Sequence, residues 1–287
     1  MKKLFCFALA LTMLMTLCMT AMAEETDGVA AIQAAGVLKV GVKSDVAGFG
    51  LQDLVTEEYS GLEVDLAHKL AEVILGDPDA VEFTAVTAKT RGPLLDTGEL
   101  DMVIATFTIK ADRIVQYDFS KPYFVDAIGL MVLADSGYES FADLDGKTIG
   151  VAQSATTKDA LQAAADEAGM TVSFSEYPTY PDIKAALSAG NVDCFSVDKA
   201  ILMSYLDAST VILPDSFAAQ PYGIAVKKGN TALLDLVNET IASMREDGSL
   251  DALVAANNLV AVDWAVVDSY DYLWDDAAAL EAAATAE

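Results

Sequence analysis

The chain has 287 residues, with 44 Asp and Glu against 17 Lys and Arg and a net charge of −27. So negative a chain argues against nucleic acids and anionic membrane surfaces as partners, because like charges repel. One histidine and three cysteines leave little material for imidazole, thiol or zinc chemistry.

The first 23 residues carry Lys2 and Lys3, an apolar stretch, and then Ala21-Met22-Ala23 before Glu24. This is the pattern of a secretory signal with a small-x-small cleavage site, so export and cleavage after residue 23 are expected, to a periplasmic or extracellular location. Cys18 follows Leu17, a residue too large for the usual lipid-attachment signal, so no lipid anchor is expected. Cleavage would remove both lysines, moving the net charge from −27 to −29, and would leave Cys194 as the sole thiol. Without an internal disulfide, some 260 residues must be held by their core, and that length suits one large or two medium domains.

Short β-rich apolar runs then recur: 38–42, 81–86, 100–106 and 128–133, followed by 147–152, 172–177, 192–197 and 222–226. Between them lie helical patterns. GLEVDLAHKLAEVILG, 61–76, places Leu62, Leu66, Leu70 and Val73 on one stripe and stops at a glycine. Strands alternating with helices predict an α/β fold with largely parallel sheets. LLDTGELDMVIA from Leu94 and ALSAGNVDCFSV from Ala186 echo each other, which suggests two similar lobes. The acidic, alanine-rich residues 263–287 read as a terminal helix or tail without chemistry.

Ligands of open α/β sheets bind beyond the carboxyl ends of the strands. The polar residues there are Lys43, Thr106, Thr108, Arg113, Thr156, Thr157, Ser196 and Asp198. Cations, hydroxyls and a lone carboxylate suit a zwitterion, with Arg113 and hydroxyls for its carboxylate and Asp198 for its ammonium. Each has a plainer reading: Ser154-Ala-Thr-Thr157 as a helix N-cap, Arg113 as a surface helix residue, Asp198 as the cap of a helix over 200–206, and Arg91 as a turn residue. His68 sits within the amphipathic helix and reads as part of its solvated face. Glycine-rich phosphate loops are absent, and neither a cofactor nor a metal is implied.

The segments VGV (40–42), GLEVDLAHKLA (61–71), LLDTGELDMVIATFTIKADR (94–113), YDFSKPYF (117–124), FADLDGKTIGVAQSATT (141–157), AALSAGNVDCFSVD (185–198) and PYGIAVKKGN (221–230) resemble the extracytoplasmic amino-acid-binding proteins of ABC importers. The resemblance implies a bilobal periplasmic-binding-protein fold of the Venus-flytrap kind, type II, with two α/β lobes joined by two hinge strands. Lobe 1 would comprise 24–133 and 221–262, and lobe 2 would comprise 134–220. It also implies a monomer that delivers its ligand to a membrane permease. Arg113 would clamp the ligand carboxylate with Thr108 and Thr156, Asp198 would hold the ammonium, and Phe49 would supply an aromatic wall. Further stretches, including VKSD (42–45), AKTRGPLLDTG (88–98) and YPTYPDIKAAL (177–187), resemble the aspartate- and glutamate-binding members. That implies Lys43, Arg91 and Thr106 reading a second carboxylate, with Tyr180 in contact. The competing reading is an enzyme on the same scaffold, of the cyclic-acid dehydratase kind.

Overall fold

The structure is a computed structural model, and it describes residues 28–284. The expected secretory signal over 1–23, with Cys6 and Cys18, lies outside the described residues. The first lobe is built from α1 (Gly28–Ala35), β1 (Leu38–Val42), β2 (Asp45–Val46), β3 (Gly50–Gln52), β4 (Tyr59–Ser60), α2 (Leu62–Leu75), β5 (Val81–Ala85), α3 (Arg91–Thr97), β6 (Met102–Ile104), α4 (Ala111–Gln116) and β7 (Tyr117–Phe119). The chain then crosses into β8 (Phe124–Leu133), β9 (Thr148–Ala152), α5 (Thr157–Ala168), β10 (Ser173–Tyr177), α6 (Tyr180–Ser188), β11 (Cys194–Asp198), α7 (Lys199–Ser204), β12 (Thr210–Ile212) and β13 (Phe217–Tyr222). It returns through β14 (Ala225–Lys227), α8 (Thr231–Glu246), α9 (Ser249–Ala256), α10 (Trp264–Asp268) and α11 (Tyr272–Ala284).

A small antiparallel sheet joins β2-β3-β4; of the two larger sheets, one runs β5-β1-β6-β14-β7 and the other β10-β9-β11-β8-β12, with β13 also paired to β8. Each is parallel where strands are joined through helices and antiparallel where the hinge strands enter, so both are mixed rather than largely parallel. Two differences from the sequence reading follow from the crossing. Residues 124–127 extend the expected strand 128–133 backwards, and all of β8 pairs in the second sheet, so the sheets part before Phe124 rather than after Leu133. The run 222–226 is divided: Tyr222 ends β13 in the second sheet, while Ala225 opens β14 in the first. Backbone bonds lock this crossing, from Ser120 N to Ile224 O (2.9 Å), Tyr123 N to Tyr222 O (2.9 Å), Ile109 N to Pro221 O (2.7 Å) and Gly223 N to Phe107 O (3.1 Å).

Helix α2 shows how the pattern becomes packing. Leu62, Leu66, Leu70 and Ile74 are buried at steps of four, whereas Val73, expected on that stripe, is 46% exposed. A three-residue step after Leu70 turns Val73 towards solvent, and the fourth brings Ile74 in. Burying each such side chain is worth about 1.5–3 kcal/mol. Gly61 starts the helix at φ 127°, where a Cβ would lie 2.2 Å from the Phe49 carbonyl oxygen. Both the backbone conformation and the close approach require glycine.

Gly61→Ala is therefore expected to lower stability by at least about 1–3 kcal/mol, the cost of a strained backbone. Denaturant unfolding of the two proteins checks this, and equal midpoints would show that the Phe49 turn can move aside.

Candidate functional site

The two lobes meet along a cleft lined by the ends of β1, β6, β9 and β11 and by the hinge. Side chains already bridge it. Tyr205 OH donates to Asp45 O (2.6 Å), Lys89 Nζ to Gln153 Oε1 (3.2 Å), and Arg113 Nη2 to Ser154 O (3.4 Å).

Arg113 lies on the short helix α4. Its Nη1 donates to Thr108 O at 2.8 Å, and its guanidinium lies 4.9 Å from the Phe107 ring. Burial, and then the neighbouring Arg91 charge, push its pKa down to about 9. Among the described residues no carboxylate lies within ion-pair distance of Arg113 or Arg91. Thr108 and Thr156 meet through a residue the sequence reading did not name: each hydroxyl donates to Gln220 Oε1 at 2.7 Å. The Thr156 hydroxyl therefore does not cap α5, although Thr156 stands at its N-cap position. Gln220 is the one amide in a strand otherwise apolar, FAAQPY, and that contrast was the available signal.

Asp198 ends β11 at the N-cap position of α7, yet its carboxylate makes no cap bond. The Ala200 N–H goes instead to Asp126 Oδ2 (2.8 Å), which removes the plain capping role. Asp198 Oδ2 accepts from Tyr222 OH at 2.5 Å. Burial first, and the Asp126 charge second, raise Asp198 to about 7, against the opposing pull of Tyr222, Arg91 and Arg113. Asp126 is thus a second acid of the site that the sequence reading did not name.

The third group surrounds Thr106, a non-glycine residue at φ 42°. Its N–H donates to Glu63 Oε1 (2.5 Å), which also accepts from Tyr123 OH (2.6 Å). Arg91 Nη1 holds the carbonyls of Ala105 (2.6 Å) and Thr106 (3.1 Å), and its guanidinium stacks 3.9 Å from the Phe107 ring. Arg91 is 4% exposed, so it is no solvated turn residue. Glu63 Oε2, Arg91 Nε and Thr106 Oγ1 are buried without a hydrogen-bond partner. Burial raises Glu63 to about 7, although Tyr123, Thr106, Lys43 and Arg91 all act to lower it.

Lys43 is 3% exposed and lies 4.4 Å from the centre of the Tyr180 ring. It is not a free cation, since Asp45 Oδ1 is 3.0 Å from its Nζ. Burial lowers its pKa, and Asp45 opposes that shift. Lys43 therefore has its own carboxylate, whereas Arg91 is held by carbonyls.

Two expected residues sit elsewhere. Ser196 Oγ donates to Gly129 O at 2.6 Å, so its hydroxyl ties β11 to β8. Phe49 is fully buried beneath the hinge, edge-on to Phe124 (5.2 Å) and Tyr222 (5.7 Å), so it supports the site through Tyr222. His68 lies on α2, bonded to Pro78 O at 2.7 Å. Cys194 is buried, and burial raises its thiol pKa, which leaves it inert.

Two α/β lobes on crossed strands, with a cleft of fixed charges between them, define a solute-binding protein. Residues 38–257 match the model of the bacterial extracellular solute-binding proteins, family 3, and the chain belongs to that family. It is 34% identical over 233 residues to the ABC transporter glutamine-binding protein of Bacillus subtilis, covering 80% of this chain and 84% of that one. It is 31% identical over 249 residues to the glutamate-binding protein of Corynebacterium glutamicum, covering 80% and 81%. Among solved structures, the solute receptor for L-cysteine of Neisseria gonorrhoeae is similar with a TM-score of 0.73 and 29% identity, over 80% of this chain and 92% of that one. An ancestral amino-acid-binding protein, described as a precursor of cyclohexadienyl dehydratase, gives 0.71 and 27%, over 80% and 99%. The relatives' names thus include glutamine beside glutamate, a broader pair than the aspartate and glutamate expected from the sequence.

The raised acids make a pH prediction. Folded Asp198 and Glu63 titrate near 7, above the carboxyl range of about 4 in an unfolded chain, so the folded form keeps their protons to higher pH. Their contribution to stability is full below about pH 4 and is lost as pH rises through about 7. In the absence of added amino acid, the fall in thermal midpoint between pH 5 and pH 8 should be smaller in Asp198→Asn than in the wild type. Parallel curves would place the Asp198 pKa in the ordinary range.

Proposed function

We propose that this protein captures an amino acid with a polar, acid-type side chain, glutamate or aspartate, and delivers it to an ABC permease without covalent chemistry. The observation that carries this reading is Arg91: a guanidinium 4% exposed, bonded to two backbone carbonyls, with Nε unpartnered and no carboxylate in ion-pair range among the described residues. A buried cation is stabilised by an anion brought to it. Arg113 would take the α-carboxylate, for which a planar fork of donors is suited. Asp198 would take the ammonium, and that positive charge would favour its ionised form. The relative named for glutamate supports the reading.

A second reading, glutamine, is favoured by two observations. Lys43 is already paired with Asp45, and Glu63 adds a further carboxyl beside Arg91, so the pocket can be neutral overall. Two relatives carry glutamine in their names. An enzyme reading is served less well, because the relatives matched over most of this chain are named as binding proteins.

Calorimetry with glutamate, aspartate, glutamine and asparagine tests the choice. Arg113→Ala should weaken every one of them by about 2–5 kcal/mol, as when one partner of a buried charge pair is removed. Binding within about threefold of wild type would make Arg113 structural only. Arg91→Ala should weaken the acids more than the amides, narrowing their ratio by about tenfold, or 1.4 kcal/mol. Equal losses would assign Arg91 to the backbone of Ala105 and Thr106 and shift the reading to glutamine.

A further inference from the structure

The family match ends at residue 257, and the described chain continues for another 27 residues. That stretch, expected to be a terminal helix or tail without chemistry, packs on the lobe at Val267, Leu273, Trp274 and Ala277. Asp263 caps α10 by accepting from Ala265 N (3.0 Å), and Val267 is 1% exposed. Arg245 pairs with Asp268 (2.9 Å) and lies 4.4 Å from the centre of the Trp264 ring. Lys121, beside the hinge crossing, reaches Asp271 at 2.6 Å and lies 4.3 Å over the Trp274 ring. Acidic residues of the tail are thus held by some of the few cations the chain has.

Helix α11 then lies on α4. Leu273, Trp274 and Ala277 join Ala111, Ile114 and Val115 in one apolar cluster, and Ala277 is only 2% exposed. Lys228 links the two helices: its Nζ donates to Ile114 O at 2.8 Å and pairs with Glu281 at 3.2 Å. Helix α4 is six residues long and has no side-chain N-cap bond. A helix so short has no stability of its own in water, so its orientation is set by what packs on it. Arg113 rides on this helix. On the side facing the hinge, Tyr270, Tyr272 and Leu273 wall a cavity of about 340 Å³ together with Thr108, Thr156 and Gln220.

We propose that the C-terminal segment is a strap that positions Arg113, with α11 holding α4, and with it the guanidinium, in the orientation that meets the ligand carboxylate. The proposal rests on the reading that Arg113 binds that carboxylate. Residues 264–284 would then be a positioning element for the site, acting on Arg113 through α4.

A double-mutant cycle on the full chain tests it. Ala277→Glu places a charge in the α4–α11 seam and is expected to weaken glutamate about tenfold, with the ratio of acid to amide affinities unchanged, because the loss falls on the shared amino-acid head. In an Arg113→Ala background the same change should cost less than about twofold. Equal losses in the two backgrounds would overturn the proposal. Glu281→Lys, a milder cut at the tie to Lys228, should show the same dependence on Arg113 with a smaller loss, and it serves if Ala277→Glu does not fold. Hydrogen exchange at the amides of 111–117 gives a readout independent of any ligand: the seam variants should exchange about tenfold faster there and unchanged in β9–β11. Unchanged rates over 111–117 would refute the strap, whereas a wild type that binds no amino acid while those rates do rise would refute the binding reading alone.

Discussion

Tyr222 joins the covalent path between the lobes to the chemistry between them. Its carbonyl accepts from Tyr123 N, which pins the two chain crossings together, and its ring packs against Phe49 and Phe124. Its hydroxyl holds Asp198. The neighbouring Gln220 gathers a threonine from each lobe. A shift in hinge register would therefore move the acid and both hydroxyls at once, and packed interfaces of this kind change between discrete arrangements rather than by degrees. That arrangement fits the proposed capture of a ligand between the lobes.

The second constraint is charge. A chain with 44 acidic residues has buried Arg91 and Lys43 and half-buried Arg113, with Arg91 close enough to depress Arg113. Burial works against every one of these charges and against Glu63 and Asp198, whose carboxyls it raises. The protein answers with local partners: Asp45 for Lys43, and backbone carbonyls for Arg91 and Arg113. Carbonyls stabilise a guanidinium without cancelling its charge, so the arginines keep their attraction for an anion while the lysine gives most of its up. The same sharing explains why Thr106 can sit at positive φ, with its N–H held by Glu63 and its carbonyl by Arg91. Backbone strain of this kind persists only where its surroundings over-determine it.

Part of this grouping was legible before any coordinates. Lys43 lies against Tyr180, Arg91 holds Thr106 and shares the Phe107 ring with Arg113, and Thr108 meets Thr156 at Gln220, because strand ends marked by apolar runs and helix starts place side chains on one edge of a sheet. What was missed shares a different character. Glu63 is one acid of several on the amphipathic helix 61–76, Asp126 lies just ahead of the expected strand 128–133, and Gln220 precedes a proline. Each matters through a partner far away in sequence: Glu63 is 43 residues from Thr106, Asp126 74 from Ala200, and Gln220 112 from Thr108. Ser196 shows the converse, since a hydroxyl at a strand end was taken for a ligand group when a neighbouring strand's carbonyl claims it.

The sequence by itself determined where most strands and helices lie and that they form an α/β fold, because burial periodicity and glycine stops act over a few residues and need no partner. It also carried the family pattern and a cleft rich in cations. Only the tertiary structure decided the state of those charges. It set Lys43 against Asp45 and left the arginines on carbonyls, moved the cap of α7 from Asp198 to Asp126, and laid the terminal helix on α4. Those outcomes depend on distances between segments brought together by folding, and electrostatic energy falls with distance and rises with burial, neither of which the order of residues contains.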